Sequence, residues 1–293
     1  MKKQFSVSAN AKINLFLDVT ARRDDGFHEV KSIMQAIDLA DKVSVSLSPS
    51  DTARVRLAVS GADLPTDRSN IAYRAAELYM ARTGAFYDAE IYIEKNIPIA
   101  AGLAGGSTDG AAVLKLLDMA SPTPVGMEKL AEMGAELGSD VPFCVLGGTR
   151  LCTGRGEITV PVRLASDMHY VVAIGNESVS TPAAYAEIDK KYFTARAASF
   201  EHERERYACL CEGLACGDAS LIAGGMYNIF EDVMLPSLPE ASRLIASLKE
   251  RGAINAIMSG SGPSVVALFD SAESARRAVE GLCARAFVCQ SVT

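Results

Sequence analysis

The chain of 293 residues contains no apolar run approaching the roughly 20 that a membrane-spanning helix needs, so no membrane partner is expected. Its first residues, M-K-K-Q-F-S-V-S-A-N-A-K, are basic in places but lack the apolar segment of a secretory signal. A cytoplasmic location is the expectation. Positive charge is also in short supply: 29 Lys and Arg face 36 Asp and Glu, for a net charge of −7. No basic stripe is present, which argues against nucleic acid as a partner and leaves anions to be gathered by local amides and a few cations. The seven cysteines are an odd number spread from Cys144 to Cys289, a pattern of reduced thiols rather than a disulfide framework. Cys209, Cys211 and Cys216 cluster without a fourth ligand at zinc-finger spacing. Internal repeats and low-complexity tracts are missing as well.

What is present suits a globular protein of one large or two ordinary domains, with 49% hydrophobic and 22% charged residues. The chain is organised around Glu94 to Asp118, E-K-N-I-P-I-A-A-G-L-A-G-G-S-T-D-G-A-A-V-L-K-L-L-D. Ala89 to Glu94 alternates as a half-buried strand. Pro98 stops it, and Gly102, Gly105 and Gly106 let the backbone curl tightly. Ser107, Thr108 and Asp109 read as capping residues of a helix running to Leu117. A glycine-rich loop feeding a helix N-terminus presents unpaired N–H groups and partial positive charge, and so fits a phosphate. The plainer alternative is a tight turn packed on a neighbour. A Walker A loop is excluded because no Lys precedes Ser107, and a dinucleotide fingerprint because the pattern is G-x-x-G-G, a third of the way into the chain.

In the extended segment Phe5 to Thr20, Lys12 and Asn14 share one face and Ile13 and Leu15 the other. A lysine there either finds a partner or snorkels to water from an edge strand. Asp25-Gly26 marks a turn before Phe27 and His28, which read either as a loop anchor and a surface imidazole or as parts of a site. Val43 to Leu47 and Arg54 to Val59 alternate as strands, Asn70 to Thr83 is an amphipathic helix, and Met127 to Leu137 is another, closed by Gly138. Pro142 prevents continuation, leaving Asp140 in a short turn before an expected strand over Phe143 to Leu146. That carboxylate is either a cap or a base in a dry pocket. His169 to Ile174 is a buried strand, Ser180 to Lys190 a helix opened by Pro182, and Phe200 to Cys216 a surface helix. Met226 to Leu235 and Pro239 to Arg251 read as helices. Two short strands around M-S-G-S-G-P-S (Met258 to Ser264), a helix over Ser274 to Cys283 and a last strand complete an α+β protein. A boundary near Pro161 to Asp167 divides it into 1–163 and 164–293.

Several stretches together resemble one family. P-I-A-A-G-L-A-G-G-S-T-D is similar to the ATP loop of the GHMP small-molecule kinases, and Met258 to Ser264 to their third motif. Ala11 to His28 and L-G-S-D-V-P-F (Leu137 to Phe143), with T-G-R-G-E (Thr153 to Glu157) and Val179 to Tyr185, resemble the branch that phosphorylates a methylerythritol carrying a cytidine diphosphate. The resemblance implies a two-lobe fold with the active site in the interdomain cleft. It implies a kinase with ATP as co-substrate and cytidine diphosphate methylerythritol as acceptor; Mg2+ is expected because phosphate charge must be neutralised, with the hydroxyl of Ser107 or Thr108 near it. Carried over residue by residue, Lys12 and Asp140 are catalytic. Pro98, Ile99, Ala100, Ala101, Gly102, Leu103, Ala104, Gly105, Gly106, Ser107 and Thr108 hold ATP. Asn14, Phe27, His28, Thr181 and Tyr185 hold the acceptor, Phe27 and Tyr185 stacking on cytosine. Gly110 stands where an alanine is usual, Thr108 where a serine is common, and Arg150 where a small residue is usual. The competing readings are another GHMP kinase, acting on mevalonate or homoserine, and a kinase-like binding protein that has lost catalysis.

Overall fold

The computed structural model describes residues 2–193 and 200–293. In chain order the elements are β1 (Lys3–Arg22), β2 (His28–Pro49), β3 (Arg54–Ser60), α1 (Ile71–Thr83), β4 (Tyr87–Glu94), α2 (Gly105–Ala120), α3 (Met127–Leu137), α4 (Val141–Leu146), β5 (Thr149–Thr153), β6 (Ile158–Pro161), β7 (His169–Ile174), α5 (Thr181–Ile188), α6 (Phe200–Cys216), α7 (Ala219–Gly225), β8 (Tyr227–Asn228), α8 (Glu231–Met234), α9 (Pro239–Glu250), β9 (Asn255–Met258), β10 (Val265–Phe269), α10 (Ala272–Val279) and β11 (Arg285–Gln290). The α+β expectation holds. Two compact units form, each from three chain segments: Met1–Ala11, Leu39–Ile99 and Ala104–Gly147 make the first, and Lys12–Asp38, Ala100–Leu103 and Gly148–Thr293 the second. The long strands β1 and β2 contribute residues to both.

In the first unit β4 runs parallel to β3 and antiparallel to the second half of β2. Period-2 patterning sets the register: Val43, Val45 and Leu47 sit opposite Ile93, Ile91 and Ala89, and all six are buried. Helix α1 is capped by Asn70, whose side chain accepts from Ala72 N, and closed by left-handed Gly84. It packs on α2, which is buried nearly all round from Thr108 to Leu117, as an apolar helix at the centre of a unit must be. Helix α3 spans the expected residues. The apolar stretch after Asp140, expected as a strand, is instead the short helix α4, with Pro142 in its first turn. Proline's fixed φ and missing N–H favour that position as much as they bar a continuing helix.

In the second unit the first half of β2 pairs antiparallel with β5, which pairs with β6. The two-residue β8 runs parallel to β1 at Phe16 and Leu17. A separate antiparallel sheet has the order β11-β7-β10-β9. Its buried face, with Val171, Ala173, Val265, Ala267, Phe269 and Met258, packs on Leu244 and Leu248 of α9, Ala275 of α10 and Ile188 of α5, and takes in Leu17, Val19 and Val30. The expected helix over Met226 to Leu235 is thus β8 followed by α8. Asn228 explains the break: its buried amide donates to the carbonyls of Met258 and Gly260, bonds that hold it out of a helix.

Candidate active site

Leaving β4, the chain is tied down before it turns: Lys95 N donates to Ser60 O, and Asn96 N and Ile97 N donate to the Asp41 carboxylate at 2.6 and 2.9 Å. From there the backbone alternates hands, with Ala100 at φ 55°, Gly102 at φ 71° and Ala104 at φ 58°. Only one of these three left-handed positions is a glycine; the alanines carry strain of order 1–2 kcal/mol each. Gly102 is required for a second reason, since a β-carbon there would lie 2.9 Å from Ser259 O. Gly105 and Gly106 are helical, not left-handed. Helix α2 therefore starts at Gly105 with Ala104 as N-cap and no side-chain cap bond, two residues ahead of the expected caps. Thr108 N makes the first intrahelical bond, to Ala104 O. The N–H groups of Gly105, Gly106 and Ser107 precede it and have no acceptor within the helix. Thr108 is buried with its hydroxyl on Asn10 O, and Asp109 turns to Lys95.

Within the second unit, four segments converge on the middle of the loop. Lys12 on β1 donates through Nζ to Asn14 Oδ1 at 2.7 Å and to Gly102 O at 2.8 Å, while its own N–H reaches Leu103 O. It is 5% exposed and Asn14 1%, so the snorkelling alternative for Lys12 is excluded. Their shared face follows from the strand period, and the buried surroundings of both faces explain why apolar alternation fails there. Asn14 donates from its amide to Ser32 Oγ and from its backbone to Ser259 Oγ. Ser264 Oγ donates to Ala101 O, and Ser261 Oγ pairs with Thr181 Oγ1 at 2.9 Å, at the start of α5. Lys12, Asn14, Ala101, Gly102, Leu103 and Thr181 are thus joined through the serines of the Met258 to Ser264 turn, which the sequence marks as a motif but not residue by residue.

Of the other residues expected to hold the acceptor, His28 and Tyr185 meet in a second cluster of the same unit: the ring stacked on Tyr185 is that of His28, in place of the expected pairing with Phe27. The His28 ring stacks on Tyr185 at 4.6 Å and 23°, and its Nε2 lies 2.7 Å from Asp189 Oδ1. Tyr185 also meets Phe230 edge-on at 5.0 Å. Phe27, half exposed, lies under the Arg155 guanidinium. His28 is therefore not an ordinary surface imidazole. Arg150 is held by its Nε–H to Thr159 Oγ1 on β6.

In the first unit Asp140 stands immediately before α4, half-buried, and its side chain makes no capping bond. Val141 and Phe143 beside it are buried. Pro98 and Ile99 precede the loop, Ile99 being exposed. Sequence reasoning missed a buried charge cluster in this unit: Lys95 Nζ bonds Asp41 and Asp109, all three side chains being under 5% exposed. The signal was available, because Asp109 falls on the apolar face of α2 with Val113 and Leu116. Burial, opposed by Lys95, lifts the Asp109 carboxyl to about 7. Among the described residues no group of three or more His, Cys, Asp or Glu is arranged to hold a metal, and no helix is long and apolar enough to cross a membrane.

A strained loop closing on a helix N-terminus, with a buried lysine on its carbonyl, suits an anion such as a phosphate. Residues 70–148 match the GHMP kinases N terminal domain and residues 208–288 the GHMP kinases C terminal domain. A 4-diphosphocytidyl-2-C-methyl-D-erythritol kinase of Caldicellulosiruptor bescii is 38% identical over 94% of this chain and 93% of its own; that of Gloeobacter violaceus is 40% identical over 91% and 86%. A crystal structure of 4-(cytidine 5'-diphospho)-2C-methyl-D-erythritol kinase superposes with a TM-score of 0.80 at 31% identity, covering 99% of this chain and all of the other. Homoserine kinase from Cytophaga hutchinsonii, with a TM-score of 0.81 at 21% identity over 100% and 96%, shares the fold. The chain belongs to the GHMP kinases and, among them, to the family of the 4-diphosphocytidyl-2-C-methyl-D-erythritol kinases.

Proposed function

We propose that the protein transfers the γ-phosphoryl group of ATP to the tertiary 2-hydroxyl of 4-diphosphocytidyl-2-C-methyl-D-erythritol, giving the 2-phosphate, in non-mevalonate isoprenoid precursor biosynthesis. The observation that carries the chemistry is Lys12. Its hydrogen-bond partners, Asn14 Oδ1 and Gly102 O, are neutral, so neither cancels its buried charge. An ammonium held in that way favours a dianionic guest over water.

The unpaired N–H groups at Gly105, Gly106 and Ser107 fit the phosphates of ATP, with Pro98 to Thr108 forming the cradle. Mg2+, when bound, would supply neutralisation of the phosphate charge. Among the described residues no acidic cluster is arranged to cage it, and the Ser107 hydroxyl would suit it better than Thr108, which is committed to Asn10. Asp140 accepts the proton from the acceptor hydroxyl, its carboxylate left free by the missing cap bond. Lys12 stabilises charge on the transferred group. Asn14 and Thr181 hold the polar part of the acceptor. Tyr185, Phe27 and His28 serve the cytosine end, where a flat ring calls for a stacking face beside polar groups. Seven cysteines with no disulfide between them suit a cytoplasmic setting.

A coupled assay of ATP turnover with the cytidine-bearing methylerythritol, mevalonate and homoserine as acceptors tests this reading. Turnover is expected with the first alone. Turnover with mevalonate or homoserine in its place, or with none of the three, overturns it.

A further inference from the structure

A buried ionic cluster meets the phosphate loop at both of its ends, and the chemistry proposed for the site makes no use of it. At the entrance, Asp41 Oδ1 accepts from Asn96 N and Ile97 N, the last two residues before Pro98. At the exit, Asp109 lies in the second turn of α2, four residues after Gly105. Lys95 joins the two, its ammonium donating to Asp41 Oδ2 and, at 2.8 Å, to Asp109 Oδ2. Gly105 is part of the arrangement. A β-carbon there would stand 3.2 Å from both Lys95 Nζ and Ile97 Cγ2, so its absence gives the ammonium a path to Asp109.

Such a cluster is a poor way to gain stability. Two carboxylates share one cation out of water, and Asp109 Oδ1 is buried without a hydrogen-bond partner. Apolar side chains of similar volume commonly hold a fold as well as a buried ionic triad or better. What they cannot do is fix directions: the cluster sets two backbone N–H groups on one side and a helical turn on the other relative to one ammonium.

We propose that Lys95, Asp41 and Asp109 are positioning residues that clasp the two ends of the phosphate loop and fix the span of residues 98–104, and thereby the affinity for ATP. The proposal rests on the reading of that loop as the ATP cradle. Three variants of the full chain test it: Asp109→Asn, Lys95→Met, and the neutral triple Asp41→Asn/Lys95→Met/Asp109→Leu. Calorimetry with a non-hydrolysable ATP analogue gives affinity without turnover, and steady-state kinetics give KM for each substrate. In the triple variant the unfolding temperature is expected to stay at or above that of the wild type, while the analogue binds at least about tenfold more weakly and KM for the acceptor moves less than about twofold. Wild-type affinity in the triple variant, or equal rises in both KM values, overturns the clasp. If the triple variant fails to fold, Asp109→Asn decides, since it preserves shape and one acceptor: three- to tenfold weaker analogue binding by the folded variant supports the clasp, and unchanged binding overturns it. A wild-type protein that binds the analogue without turning over the acceptor refutes the functional reading and leaves the clasp to be judged on binding alone.

Discussion

A β-carbon added at Gly110 would lie 2.6 Å from Cγ2 of Ile71. The glycine in the second turn of α2 and the isoleucine that opens α1 are therefore a matched pair, which gives a steric reason for glycine at a position where alanine is usual. Gly110→Ala should gain about 1 kcal/mol in helix propensity and lose roughly 1–3 kcal/mol to overpacking, for a net destabilisation. In an Ile71→Ala background the same substitution should become neutral or stabilising. Thermal unfolding of the two single variants and the double gives the coupling; strict additivity would show that the helices move apart freely.

The loop is most sensitive at Gly102. Its left-handed φ and the Ser259 carbonyl 2.9 Å from its would-be β-carbon both resist a side chain. Gly102→Ala is expected to weaken ATP-analogue binding about tenfold or more while the fold survives, because strain of order 1–3 kcal/mol falls on the cradle itself. Binding isotherms of wild type and variant check this, and an unchanged isotherm returns the loop to a packing turn. At Gly105 the obstacle is different: its backbone angle admits any residue, and Ile97 and Lys95 are what a larger side chain would strike.

Asp109 gives the protein a pH signature. Its carboxyl is lifted by burial to about 7 in the folded chain and returns to about 4 on unfolding. Between those values the folded state holds a proton that the unfolded state releases. The stability tied to that proton is complete below about pH 4 and is lost as pH rises through 7. Denaturant unfolding of wild type and Asp109→Asn at about pH 4.5 and pH 7.5 isolates the effect, since other groups cancel in the difference. The wild type is expected to lose on the order of 1 kcal/mol or more relative to the variant. Parallel pH profiles would show that Asp109 is ionised throughout.

For the chemistry, Asp140→Asn and Lys12→Met should each lower kcat by about 10² or more while nucleotide affinity stays within a few-fold. The proposed mechanism has both act on one transition state, where effects are strongly non-additive, so the double variant should be little worse than either single one. Near-normal turnover in Asp140→Asn would leave this residue only as the lead-in to α4.

The parts legible in the sequence were those governed by one local rule. Alternation placed β4, and the 3.6 period with a glycine stop placed α3. The strand period put Lys12 and Asn14 on one face, and glycine content located the loop. Where two rules competed, the outcome was hidden. Val141 to Leu146 is apolar enough for a strand, but Pro142 is as much at home in a helix's first turn. Tyr227 and Asn228 sit in a helical pattern that two hydrogen bonds from one amide override. Two of the loop's left-handed positions fall on Ala100 and Ala104, where no glycine marks them. The Lys95 cluster joins residues 54 and 14 positions apart; the helical period marks Asp109 as buried but does not name its partners.

The division of the two units along the chain has a consequence for synthesis. Everything the first unit needs lies in the stretch ending at Gly147, so that unit can finish on the ribosome. The second unit cannot. Leu17, Val19 and Val30 emerge early, yet they share a core with Val171 and with Phe269, which is 239 residues beyond Val30. At about 5–20 residues per second that is a wait of roughly 10–50 s for the nascent chain. Throughout it, a β-prone apolar segment stands without its partners, and the burden of keeping it from aggregating falls on chaperones.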